Sequence, residues 1–503
     1  MLKKIKSKIF MYKLLLIFFF TANSFAAKSQ NDESVLVGKK INIFSNTLNE
    51  NRKIWVYDPS MTATNPIPDK HYPVVYVLDG SAHFLSTVGM IQQMSQANGN
   101  TVLPEMIVVG IENSNRLKDL TPILDTSKRN KKANTFLNFL ETELMPYINK
   151  NYQTAPYNIL VGHSLGGLTV VDILTNSPTL FNAYIAIDPS MWYANEKFLK
   201  NTIAKISDKK LKGTSLFIGT ANSMPKGMKL KNLEKDQSTE TQPIRSIFKL
   251  DKFLKDNSNT GLKYALKFYE NESHISVPLI TEYDGLRYIF DYYLMDISEK
   301  DLIDSTTAIA IKYKVHYEKI SNEMGYKNAA PEAFINYLGY DALLKKQYDR
   351  AEALFQLNIE NFPNSNNVFD AYADLLLAKQ DSIHAISYYK KSLALKNDIA
   401  TQRKIIALTS QQKFNLPSIE LKKYTGVYVL ENYKIEVQLE IREGKLWAKV
   451  IGQADDELDP VSKDVFTVKN KQGYTITFQV EKNRAVAFTS MQPNGVFKAI
   501  LNK

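Results

Sequence analysis

Ile159-Leu-Val-Gly162-His163-Ser164-Leu165-Gly166-Gly167 is the stretch that decides the fold. An apolar run ends at a Gly-x-Ser-x-Gly pattern, and Leu168 to Leu174 continues as a helix-compatible segment. Strand, turn and helix in that order put a serine on a sharp turn with its hydroxyl lifted above a sheet. The backbone of such a turn is strained, so the residues two positions away on either side must be tiny. The same turn aims backbone N–H groups at a substrate carbonyl, and Leu165, next after the serine, supplies one of them. Ser164 is therefore read as a nucleophile.

Outward from this motif the chain alternates strand and helix. His71 to Asp79, Met106 to Ile111, Tyr157 to Val161, Ala183 to Ile187, Ser215 to Ile218 and Tyr264 to Tyr269 are short apolar runs. Helical stretches such as Phe136 to Asn149 lie between most of them. Buried strands separated by helices imply an α/β domain with a mostly parallel sheet covered on both faces. Val35 to Phe44 and Lys53 to Tyr57 read as an antiparallel entry, and the domain is placed at about residues 30–296.

A serine nucleophile needs a base, and the chain has six histidines. His163 adjoins the nucleophile. His316 and His384 fall in a later helical region, His71 precedes a strand, and His83 stands too early in the chain order. His274 follows the last strand, in Glu270-Asn-Glu-Ser-His274-Ile-Ser-Val-Pro278, where this strand-turn-helix chemistry places its histidine. The second oxyanion donor is expected in Asp79-Gly80-Ser81, after the first apolar strand, where Gly80 permits close approach. The third member of a triad should follow Ser215 to Ile218, yet Asn222 fills that slot. An amide orients an imidazole without stabilising its charge as a carboxylate does. Asp188, one strand earlier, is the alternative acid, and a Ser-His pair without an acid is a further one.

Composition bounds the rest. With 503 residues the chain is too long for one core. It has no cysteine, which excludes disulfides, thiolate catalysis and thiolate metal sites. The formal charge is +11, dispersed without a long basic run, so a nucleic-acid partner is not expected. Lys3, Lys4, Lys6, Lys8 and Lys13 precede an apolar stretch from Leu14 to Ala22, and Ser24-Phe-Ala26 fits a small-x-small cleavage site. Residues 1–26 are read as a signal peptide, and the mature chain as exported, periplasmic or extracellular, with no span left after cleavage.

From about 300 to 412 the pattern is helical. Ala351 and Ala385 stand 34 residues apart, and the small, aromatic and proline positions around them resemble the tetratricopeptide repeat over about 332–398. Helices at Asp301 to Met324 and at Ala400 to Ser410 are expected to cap the pair. From 418 to 503, alternating residues such as Ile435, Val437, Leu439 and Ile441 predict a small antiparallel barrel or sandwich. Tyr424 to Tyr428 and Gly444 to Trp447 resemble a β-domain appended to some exported serine hydrolases.

The elbow, Asp188-Pro-Ser-Met-Trp-Tyr193, His274-Ile-Ser-Val-Pro278, Tyr76 to Gly80, Val109 to Asn113 and Arg116-Leu-Lys-Asp119-Leu-Thr-Pro122 together resemble the esterase family that includes enterochelin esterases, feruloyl esterases and S-formylglutathione hydrolase. The resemblance covers roughly residues 35–295 and is strongest to the enterochelin-esterase-like branch, which tolerates a Ser-His dyad. It implies an α/β-hydrolase fold and ester hydrolysis through an acyl-enzyme with no metal or organic cofactor, on siderophore-type or carbohydrate-linked esters. The feruloyl branch carries an aspartate where Asn222 stands. In this reading Arg116 contacts an acidic or catechol-bearing substrate, and Trp192 with Tyr193 forms an aromatic wall, or else packs at the rim. The partner is a small-molecule ester, with a protein partner at the helical repeats. A hydrolase-fold scaffold that only binds proteins is the competing reading, and amide or thioester hydrolysis a third.

Overall fold

The computed structural model describes residues 35–61, 70–95, 101–124, 135–207, 209–409, 414, 416–431, 433–471, 473–493 and 495–502. The signal peptide expected at 1–26 lies outside the described residues. Among the described residues, no helix is long and apolar enough to cross a membrane.

The first part is a sheet of eight strands: β1 (Lys39–Ser45), β2 (Glu50–Tyr57), β3 (Tyr72–Leu78), β4 (Ile107–Ile111), β5 (Thr154–His163), β6 (Ala183–Ile187), β7 (Ser215–Ala221) and β8 (Lys263–Tyr269). Their order is β1-β2-β4-β3-β5-β6-β7-β8. β1, β2 and β4 pair antiparallel, and every pair from β4 to β8 is parallel. β3, β4, β6 and β7 are buried at every residue, as strands covered on both faces must be. One apolar core lies on each side of the sheet. Helix α1 (Gly80–Ser95) follows β3, α2 (Leu165–Asn176) follows β5, and α3 (Val277–Ile289) follows the loop after β8. All these connections leave from the C-terminal ends of parallel strands, where open α/β sheets bind ligands.

The helix expected at Phe136 to Asn149 is a composite. Thr135–Phe139 runs through a π-helical turn at Leu140–Leu144 into Met145–Asn151.

The helical region opens with a break that periodicity did not predict. The helix expected at Asp301 to Met324 is two helices, Glu299–Ile303 and α4 (Ala308–Met324). Ser298 and Asp301 form a reciprocal capping box on the first, and Asp304 Oδ1 then accepts from the Thr306 N–H at 2.6 Å. The capping box starts the first helix, and Asp304, with ψ 126°, leaves helical geometry and ends it. Beyond lie α5 (Glu332–Leu344), α6 (Tyr348–Asn361), α7 (Asn366–Ala378), α8 (Ser382–Leu395) and α9 (Ile399–Thr409). The start of α7 is 34 residues after that of α5, and the start of α8 is 34 after that of α6.

The last part is a closed antiparallel barrel and not a sandwich: β9 (Gly426–Leu430), β10 (Glu436–Arg442), β11 (Lys445–Val450), β12 (Asp456–Ser462), β13 (Val465–Val468), β14 (Thr475–Glu481), β15 (Arg484–Gln492) and β16 (Gly495–Leu501), shut by the pairing of β9 with both β10 and β16. Aromatic rings fill it. Tyr424 and Phe478 stand 4.6 Å apart, and Tyr428 and Phe488 5.1 Å, so the interior is a packed core as small barrels require. β12 escaped sequence reading because it is acidic and contains Pro460, which strands tolerate at an edge or bulge. The β12–β13 register shifts between Pro460 and Ser462.

Candidate active site

Ser164 has φ 59° and ψ −114°, a backbone state that costs of order 1–3 kcal/mol for a residue with a Cβ. Two facts explain why this turn holds it. A Cβ on Gly162 would lie 2.5 Å from the Gly166 carbonyl, so only glycine lets the strand end and helix start pack so closely. The Ser164 N–H donates to Ile187 O at 2.9 Å, and Ser164 O accepts from the Ser190 N–H at 3.1 Å. The elbow is thus laced to the end of β6. The tight position is 162. A Cβ on Gly166 would meet its nearest neighbour at 3.4 Å, an ordinary contact.

Asp188 stands at that same end of β6 with φ 40°. Its side chain is 8% exposed. Oδ1 accepts from Thr220 Oγ1 at 3.0 Å and from the Ala221 N–H at 3.1 Å. Oδ2 lies 2.6 Å from His274 Nδ1. A carboxylate there accepts the Nδ1 proton and leaves Nε2 of His274 as the bare nitrogen. His274 sits on the loop between β8 and α3, and its side chain is 46% exposed.

Asn222 is turned elsewhere. Its Nδ2 donates to Glu270 O at 3.0 Å and its Oδ1 accepts from the Met224 N–H at 3.3 Å. Its own N–H donates to Glu272 O at 2.9 Å. Of the two residues weighed as a third member, the structure sets Asp188 against His274. Asn222 ties down the root of the loop that carries His274.

Leu165 begins α2 and Gly80 begins α1, with Ser81 next and exposed. β3 and β5 are parallel neighbours, so both helices start at the same edge of the sheet. The first N–H groups of a helix have no intrahelical partner, which leaves N–H groups at both starts able to donate to an acceptor at this edge. A Cβ on Gly80 would lie 2.5 Å from the backbone of Gly110, so the approach of α1 to β4 requires glycine. Ser190, absent from the sequence-derived set, places its Oγ 3.4 Å from Ser164 Oγ.

Arg116 is already engaged. Its Nε and Nη2 bind Asp79 Oδ1 and Oδ2 at 2.8 and 3.0 Å, and Nη2 also donates to His163 O at 3.2 Å. Asn113 Nδ2 adds a bond to Asp79 Oδ1 at 2.7 Å. The Arg…Asp-Leu-Thr-Pro segment is anchored from below by Arg52, fully buried, whose guanidinium meets Asp119 Oδ1 at 2.6 Å and Oδ2 at 2.8 Å. Trp192 is 44% exposed, in the turn that follows Asp188. Sequence reading passed over His163 as well. Its ring lies 4.6 Å from that of His274 and 5.8 Å from that of His83. Among the described residues no group of three or more His, Asp or Glu side chains is placed to hold a metal ion.

Residues 45–245 match the family model described as "Putative esterase", a span that includes Ser164 and Asp188 but not His274. Residues 410–499, which hold all of the barrel but the end of β16, match a domain of unknown function, DUF3471. The ferri-bacillibactin esterase BesA of Bacillus subtilis (strain 168) is 28% identical over 261 residues, 48% of this chain and 86% of that protein. The siderophore triacetylfusarinine C esterase of Aspergillus fumigatus is 26% identical over 165 residues, 31% of this chain and 55% of that protein. The crystal structure of an IroE-like serine hydrolase from Shewanella oneidensis is similar at 26% identity with a TM-score of 0.50, over 64% of this chain and 99% of that one. An uncharacterised protein from Capnocytophaga ochracea shares the fold with a TM-score of 0.51 at 17% identity, over 74% of this chain and 99% of that one. The α/β part of the chain thus matches the "Putative esterase" model over residues 45–245 and is similar to siderophore esterases, a likeness that supports an esterase function.

Proposed function

We propose that the protein is an exported serine esterase that cleaves carboxylic esters through an acyl-enzyme. The observation that carries this reading is the 2.6 Å contact of His274 Nδ1 with Asp188 Oδ2, beside a serine held at positive φ. With Nδ1–H donated to Asp188, His274 Nε2 is free to take the Ser164 proton as the hydroxyl oxygen attacks the ester carbonyl. Charge then gathers on the carbonyl oxygen, where the N–H of Leu165 and those at Gly80 and Ser81 are the donors. The protonated His274 passes its proton to the leaving alcohol. Water then enters and gives a proton to His274 as its oxygen attacks the acyl carbon, and His274 returns that proton to Ser164 Oγ as the acid leaves.

The names of the relatives direct the substrate choice to siderophore-type esters, with carbohydrate-linked esters second. The bidentate pair with Asp79 spends the Arg116 fork, so Arg116 is proposed to shape the floor of the site more than to grip an anionic substrate. Export follows from reading residues 1–26 as a signal peptide, with a periplasmic or extracellular destination. The 34-residue offsets of α5 to α8 support tetratricopeptide-like hairpins that dock a protein partner. Against a non-catalytic scaffold, for which the amide at 222 in the usual slot of the acid would speak, the contact of Asp188 with His274 supports the enzyme.

The test is hydrolysis of short p-nitrophenyl esters and of a catecholate ester by the mature chain beside Ser164→Ala and His274→Ala. Loss of turnover in both variants supports the proposal. Turnover equal to wild type in both would move the chemistry to other residues.

A further inference from the structure

His163 stands on the elbow next to Ser164, and its side chain reaches out of the turn to the loop that carries His274. His163 Nε2 lies 2.8 Å from the backbone carbonyl of His274. A carbonyl only accepts, so His163 carries its proton on Nε2 and donates it there. The segment from Ser273 to Ser276 is exposed at every residue. Its root is tied by Asn222 to Glu270 and Glu272, and its turn is closed on itself by Ser273 and Ser276. The bond from His163 fastens the backbone of the base itself to the elbow that carries Ser164. His163 is in turn fixed from the other side, since its own carbonyl accepts from Arg116 Nη2 at 3.2 Å, and Arg116 is locked to Asp79.

We infer that His163 is a positioning residue for the reaction: its Nε2–H holds the His274 backbone so that the imidazole keeps one geometry relative to Ser164. This inference rests on the reading of His274 as the general base. The groups facing His163 are His83 on α1, His274 on its loop and Asp188 at the end of β6, with Arg116 on its carbonyl. Desolvation, with His274 and His83 beside it, holds the His163 imidazole down at about 4. At working pH it is therefore a neutral, fixed donor and not a second proton carrier.

The experiment compares His163→Leu and His163→Gln with wild type on a p-nitrophenyl ester between pH 6 and 9, with Ser164→Ala and His274→Ala alongside. A side-chain amide nitrogen of glutamine substitutes for Nε2, and leucine removes the donor. Loosening a base by a fraction of an ångström to 1 Å costs roughly ten- to a hundredfold in rate. His163→Leu is expected to lose that much kcat with KM within about twofold of wild type, a transition-state effect. His163→Gln is expected to recover most of the loss. The ratio of wild type to His163→Leu stays constant across the pH range, because the lost ring is neutral throughout. If His163→Leu does not fold, His163→Asn, whose shorter amide falls short of the carbonyl, takes its place. The inference is overturned if the donor-less variant keeps kcat within twofold, if glutamine gives no rescue in a folded protein, or if the ratio varies with pH. Should Ser164→Ala and His274→Ala keep wild-type turnover, the assignment of the site itself fails. Should they lose it while His163→Leu does not, only the role of His163 fails.

Discussion

Asp188 and Asp374 are both buried carboxylates with three partners each, and they do opposite things. Asp374, 4% exposed, lies among the helices. It accepts from Tyr340 Oη at 2.7 Å and Tyr389 Oη at 2.5 Å, and pairs with Lys404 Nζ at 2.8 Å. Lys404 also meets Asp370 at 2.6 Å. The two carboxylates hold the ammonium charged against its burial and push its deprotonation above the usual lysine range. Every partner in that cluster stays in one protonation state. Asp188 is nearly as buried, yet one of its partners is an imidazole whose side chain is half in solvent. Histidine is the side chain that gains and loses a proton near neutrality. Its neighbours also sit at positive φ, with Asp79, Ser164 and Asp188 all in that region, whereas the helical cluster rests on regular helix. A buried acid marks a site when its partner can change charge at an open edge. It marks a clamp when its partners are sealed and permanent.

Breaking each cluster separates the two meanings. Ser164→Ala is expected to have the largest effect on activity, a fall in kcat of roughly 10⁴-fold or more with an unchanged melting temperature. Asp188→Asn follows, at roughly 10³- to 10⁴-fold in kcat, because an amide favours the wrong tautomer of His274. Steady-state kinetics and thermal melting on the same samples check both. Lys404→Met reverses the pattern. It leaves Asp370 and Asp374 without their cation, so denaturant unfolding should show a loss of about 3 kcal/mol, while kcat of the folded protein stays within twofold.

Glu282 sharpens the comparison from a third place. It is buried on α3 and accepts from Thr87 Oγ1 of α1 at 2.5 Å. Burial pushes its carboxyl up to about 7 from 4.5. Between those values the folded protein holds a proton that the unfolded chain has released, so stability falls as pH rises through the window. Glu282→Gln should therefore melt higher than wild type at pH 8, by a free energy of roughly 3 kcal/mol, and the gap should close toward pH 4.5. A constant gap across pH would mean that Glu282 is ionised in the folded state. The smallest effect is expected from Asn222→Ala, less than about tenfold in kcat, since the backbone bond from 222 to Glu272 survives.

The sheet was legible because β3, β4, β6 and β7 are apolar at nearly every residue and are separated by helices. The elbow was legible because its steric demand falls on glycine at 162. The proposed acid was only half legible. Its usual slot, after β7, holds Asn222, and nothing local says that Asp188 instead receives Thr220 and Ala221 of the neighbouring strand. That arrangement depends on the parallel register of β6 and β7, a non-local fact. His163 was missed for the same reason: its bond to residue 274 spans 111 positions. The break at Asp304 and strand β12 were hidden by local chemistry, capping in one case and Pro460 at a bulge in the other.

The central claim is that Ser164 becomes acylated while His274 and Asp188 work as a pair. Intact-mass and peptide analysis after brief exposure to a p-nitrophenyl ester tests it directly. The expected result is one acyl group on the Ser164 peptide of the wild-type chain, strongly reduced in Asp188→Asn, near wild type in Asn222→Ala and absent in Ser164→Ala. An acyl group on another residue, or turnover that persists in Ser164→Ala, would contradict it.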